Sequence, residues 1–145
     1  MKKILLFLGF ALCHLSWAQT AIDGWPIFAK VKFTATLMKE LNEYFLIPTF
    51  EPKIKSLIGS DITLKGYYMS LDMPARQLII SKNPYSSCFF CGAAGPESVA
   101  EVILKTKLPK LRTDQVITVK GKLKLNAKDV NHMNFILTEA EIIPN

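Results

Sequence analysis

A mainly β fold closing into a small barrel follows from three features of this sequence. Several short runs alternate apolar with polar or charged residues, which is the periodicity of half-buried strands. One such run occurs twice, as Ile62-Thr63-Leu64-Lys65-Gly66 and as Ile117-Thr118-Val119-Lys120-Gly121. In both copies a glycine interrupts the pattern at the same point, where a missing Cβ suits a bulge or a sharp bend that lets a sheet coil round on itself.

The first 18 residues stand apart from this pattern. Lys2 and Lys3 precede an apolar run from Ile4 to Cys13, and Ser16-Trp17-Ala18 supplies the small residues of a signal-peptidase site, so cleavage between Ala18 and Gln19 is expected. The apolar run is about half of the roughly 20 residues that a membrane helix needs. Leu12 stands before Cys13, where a lipoprotein signal places a small residue, so Cys13 and His14 are expected to leave with the leader. The sequence therefore predicts a periplasmic or secreted protein with no stable membrane span after cleavage. What remains is 127 residues, enough for one domain with one core: a lead-in over residues 19–29, then a single OB-like β domain over 30–145.

Val31, Phe33, Ala35 and Leu37 alternate with Lys32, Thr34 and Thr36, which predicts a strand over residues 30–37. A polar turn over 39–43 returns it as a second strand over 43–50, ending at Pro48 or just beyond: an amino-terminal β-hairpin. Pro52 then opens one or two helical turns over 53–58, stopped by Gly59. Each copy of the repeat reads as a strand, a polar connection and a second strand, since Leu71-Asp72 is echoed by Leu125-Asn126 and Leu78-Ile79-Ile80 by Phe135-Ile136-Leu137. This gives strands over 61–69, 76–82, 115–124 and 134–142. Residues 83–96, rich in Ser, Gly and Pro, read as loop. Over 97–105 the signals conflict, because Pro96 and Glu97 suit a helix start while the Val and Ile content favours a strand over 98–105; the strand is preferred. Five strands from Asp61 onward with bend glycines predict a small OB-like barrel, of the oligonucleotide/oligosaccharide-binding type, with the hairpin packed beside it. A two-sheet β-sandwich is the alternative. Neither architecture discloses a function.

Without the leader, 16 basic residues face 12 acidic ones, a net charge of +4 that is too mild to indicate nucleic acid. Lys120, Lys122 and Lys124 alternate with small or apolar residues and read as the wet face of a strand. A single-strand binder would interleave exposed aromatics with such charges, and this run has none.

The remaining chemistry concentrates at Cys88 and Cys91, in Pro84-Tyr85-Ser86-Ser87-Cys88-Phe89-Phe90-Cys91-Gly92. Three readings stay open. In an oxidising compartment the pair forms a local disulfide, whose short ring adds little stability. Alternatively two thiolates grip one soft or borderline ion, Cu(I) or Zn²⁺; no second cysteine pair completes the site, but His132, Met133, Met69 or Met73 supplies further donors if the fold brings them round. The third is thiol-disulfide exchange, although the thioredoxin tryptophan, Gly-Pro and strand-helix-strand context are missing. Phe89 and Phe90 read as pins that hold the loop to the barrel. No catalytic constellation is complete: a serine-histidine-acid arrangement would have to use His132, and no glycine-rich phosphate loop is present.

The cysteine loop through Gly95-Pro96-Glu97-Ser98-Val99, with Gly59-Ser60-Asp61-Ile62-Thr63-Leu64-Lys65-Gly66-Tyr67 before it and Lys120-Gly121-Lys122-Leu123-Lys124-Leu125-Asn126 after, resembles a group of exported Bacteroidetes-type proteins whose function is not established. More distantly it is similar to a wider bacterial domain-of-unknown-function family with a like cysteine loop, some members of which occur beside ABC-type permeases linked to metal supply. The resemblance implies a shared barrel and favours a metal role. It carries over no catalytic residue. The expectation is an exported non-enzymatic binding or accessory protein whose Cys88/Cys91 loop binds a transition metal or an envelope protein, with a redox protein and a structural interaction module as rivals.

Overall fold

The computed structural model of the chain describes residues 21–144; the expected leader, with the cleavage expected between Ala18 and Gln19, lies outside them. Every strand expected from alternation is present, with ends displaced by no more than two residues. Lys32–Met38 (β2) and Glu43–Thr49 (β3) form the amino-terminal hairpin as a separate two-stranded sheet. Pro52–Lys55 is a single helical turn, and Gly59 ends the segment with φ +80°, its N–H donating to the Leu123 carbonyl at 2.8 Å. The conflict over residues 97–105 resolves by division. Pro96–Ser98 makes a short 3-10 turn, and Val99–Leu104 is strand β6.

Asp61–Met69 (β4), Gln77–Ser81 (β5), β6, Val116–Leu125 (β7) and Phe135–Ile143 (β8) close a five-stranded barrel in the order β4-β5-β6-β8-β7 and back to β4. Neighbours run antiparallel except β6 and β8, which are parallel. This is an OB-like barrel. The sandwich alternative fails because β4 pairs with both β5 and β7, so no open edge is left to separate two sheets.

The repeat has a structural meaning that its spacing did not reveal: the two copies pair with each other. Ile62 lies opposite Gly121, Leu64 opposite Val119 and Gly66 opposite Ile117. Gly66 sits where β4 passes from β7 to β5, so close to the neighbouring strand that a Cβ would stand 2.3 Å from the Ser81 carbonyl oxygen. Opposite Gly121, β8 carries one extra residue between Thr138 and Glu141, and Glu139 takes it up with φ 48°. The bulge thus lies on the strand facing the glycine.

Inward residues of all five strands fill the barrel, among them Ile62, Leu64, Leu78, Ile80, Val102, Val119 and Leu137. The lead-in, where the sequence showed no element, contributes to this core. Ile22–Asp23 (β1) pairs with β4, and the turn Trp25–Phe28 (α1) buries both of its aromatic residues. Trp25 Nε1 donates to the Lys65 carbonyl at 2.8 Å, and Phe28 stacks on Phe135 at 4.0 Å. Four helical residues are too few for a periodicity to register.

The lysines on β7 face outward as the alternation requires, and Lys120 and Lys122 hold Asp61 at 3.4 and 3.3 Å. The Lys122 hydrogen bond, with help from Lys120, keeps the Asp61 carboxyl below its usual range. A depressed folded-state pKa stabilises above the unfolded value of about 4 and is lost as pH falls through the folded one. Asp61→Asn is therefore expected to cost under about 1 kcal/mol near neutrality, screened by salt. Urea denaturation of the two proteins should show the difference closing as the pH is lowered beneath the unfolded value of about 4.

Candidate functional site: a sulfur-rich face of the barrel

Alternate residues on β4, β5 and β6 point away from the barrel interior, and on a bare barrel they would meet water. Met69, Ile79 and Val99 do so by position, yet each is at most 2% exposed. The cysteine loop folds back across this face, and Cys88 joins the three in a second buried cluster. Met73, from the β4–β5 connection, and Met133, from the β7–β8 connection, pack on it with Tyr67 and Phe89. Those two connections and the β5–β6 face are where OB barrels take their ligands.

Consecutive 3-10 turns, Tyr85–Ser87 and Phe89–Cys91, wind the loop tightly. The Cys88 carbonyl accepts from Cys91 N–H at 3.2 Å and from Ala93 N–H at 3.3 Å. Gly92 then turns the chain in the left-handed region, φ 73°, which a side chain would disfavour. The two Sγ atoms, both free thiols, end 3.8 Å apart, and the Cys91 thiol donates to the Tyr85 carbonyl at 3.0 Å. Tyr85 N–H donates to Asp114 Oδ1 at 2.7 Å, which ties the loop to the β6–β7 connection.

The two thiols differ in exposure: Cys91 is exposed, but Cys88 is wholly buried. Contact with the Cys88 sulfur, followed by burial, pushes the Cys91 thiol pKa up. Phe89 pins the loop as expected. Phe90 does not, being 42% exposed with its ring edge-on to Phe89.

His132 does not join the cysteines. Its Nδ1 lies 3.0 Å from both carboxylate oxygens of Glu101, which also accepts from Met133 N–H at 3.2 Å. Glu101 is 2% exposed, and these contacts give its buried carboxyl the hydrogen-bond partners that a buried polar group needs. It locks the β7–β8 connection over β6 and so positions Met133. Asn126 braces the same connection, its side-chain amide donating to the carbonyls of Asp129 and His132. Glu101 was missed in the sequence. Its signal was a charged residue inside Val99-Ala100-Glu101-Val102-Ile103-Leu104, a run apolar on both faces, where a lone acid requires a partner.

Phe89, β3 and the β7–β8 connection enclose a cleft of about 380 Å³, with Tyr44, Ile47, Val99 and Met133 among its walls. Thioethers aside, no group of three or more His, Cys, Asp or Glu gathers for a metal among the described residues. No described helix is long and apolar enough to cross a membrane. The chain matches no protein-family model and none of the curated proteins compared with it.

Proposed function

We propose that this protein is an exported, non-enzymatic metal-binding accessory protein whose working surface is the Cys88/Cys91 loop. One observation carries the reading: two free thiols at 3.8 Å, held over the face at which OB barrels in general take their ligands. A tetrahedral site with metal–sulfur bonds of about 2.3 Å has an edge of about 3.8 Å, so the spacing suits two thiolates on one Zn²⁺ or Cu(I). Cys91 is exposed, which leaves its side of the pair open to a partner or a further donor. The more distant likeness of the loop to a wider bacterial family, some members of which occur beside permeases linked to metal supply, favours the same reading.

Thiol-disulfide exchange has less support. An attacking cysteine needs exposure and a lowered pKa, whereas here the exposed thiol is raised and the other is buried.

Titration of the reduced protein with Zn²⁺ and with Cu(I) tests the proposal. Sub-micromolar binding of at least one ion is expected, lost in Cys91→Ser, a change at an exposed position that should leave the melting temperature unaltered. Binding that survives Cys91→Ser, or no binding by the reduced wild type, overturns it.

A further inference from the structure

We infer that this site, on the reading just given, selects Cu(I) over Zn²⁺ and completes its coordination with a methionine thioether. The argument begins with the sulfur spacing. With bonds of about 2.3 Å, two thiolates stand about 4.6 Å apart across a linear ion, about 4.0 Å in a trigonal site and about 3.8 Å in a tetrahedral one. Cys88 and Cys91 stand 3.8 Å apart, on a backbone turn closed by two hydrogen bonds to one carbonyl. An ion gripped at that spacing is bent away from linearity and presents room for at least one more ligand.

The surroundings of Cys88 decide what that ligand is. No third His, Cys, Asp or Glu approaches among the described residues, and His132 is committed to Glu101. Thioethers are what the fold gathers instead. Three of the five methionines, Met69, Met73 and Met133, come from separate segments to the one cluster that contains Cys88. Met69 is buried, while Met73 and Met133 are half-buried on unbranched side chains that reorient easily. A neutral, polarisable thioether favours Cu(I), whereas Zn²⁺ prefers thiolate, imidazole and carboxylate. Binding releases the thiol protons to solvent and changes no oxidation state.

The test compares the reduced wild type, Cys91→Ser, and a triple variant carrying Met69→Leu, Met73→Leu and Met133→Leu, changes that nearly conserve volume. Cu(I) affinity is read by competition with a chromophoric Cu(I) chelator, Zn²⁺ affinity by competition with a zinc dye, and the sulfur shell by copper-edge X-ray absorption. The wild type is expected to show three sulfur ligands on Cu(I). The triple variant should show two and lose about 30-fold or more in Cu(I) affinity, on the scale typical of a metal-shell change, with Zn²⁺ affinity unmoved. Unchanged Cu(I) affinity in the triple variant overturns the inference while leaving the dithiol reading intact. A parallel loss for Zn²⁺ also overturns it, since the methionines would then act by supporting the loop. Failure of the dithiol reading itself appears separately, as undiminished metal binding in Cys91→Ser.

Discussion

Replacing Phe135 with alanine is expected to cost about 4 kcal/mol, a large share of the roughly 5–15 kcal/mol that holds a domain of this size folded. Phe135 is fully buried at the start of β8. Its ring stacks on Phe28 at 4.0 Å and meets Phe50 at 6.0 Å and Phe33 at 6.5 Å, both edge-on. These partners come from α1, from the residue after the hairpin and from β2, so one side chain packs the barrel against three of the segments that precede it. Its removal forfeits apolar burial and three aromatic contacts, each worth about 0.5–1.5 kcal/mol beyond area, and leaves a cavity that rigid strands fill poorly. Amide hydrogen exchange should report more than a uniform loss: protection over residues 32–49 should fall further than protection of β4 and β7. A measured cost below about 2 kcal/mol, or equal loss in hairpin and barrel, would show that Phe135 is not the joint.

Gly66→Ala is expected to be nearly as damaging, at about 3 kcal/mol or more. The added Cβ would stand 2.3 Å from the Ser81 carbonyl oxygen and 3.1 Å from its carbon, and backbone cannot step aside as a flexible side chain can. The strands must separate where β4 changes partner, which opens the barrel at its seam. Gly59→Ala is the control. There φ is +80° but nothing lies within 4 Å of the new Cβ, so only the left-handed strain of about 1–2 kcal/mol applies. Chemical denaturation should rank Gly66→Ala well above Gly59→Ala; the reverse order would mean that conformational freedom, and not close approach, explains the glycine in β4.

These two residues also mark how far the sequence could be read. That Gly66 and Gly121 bend a closing sheet was legible, because a glycine that breaks an alternating pattern has few other uses. The partners they avoid were not, since Ser81 and Ala140 lie in other strands. Likewise Cys88 and Cys91 announced themselves by spacing, whereas Glu101 showed only as a charge in an apolar run and the methionines only as isolated residues.

By itself the sequence determined the strands, the hairpin and the loop that carries the thiols. Alternation, turn chemistry and short-range spacing are properties of neighbouring residues, and they survive without knowledge of the fold. Tertiary structure decided which distant segments meet: the two repeats pairing with each other, His132 turning to Glu101, and three methionines arriving around a cysteine that the loop itself buries. Those encounters depend on how a twisted sheet closes and which connection crosses which face, and that is settled only when all the strands pack at once.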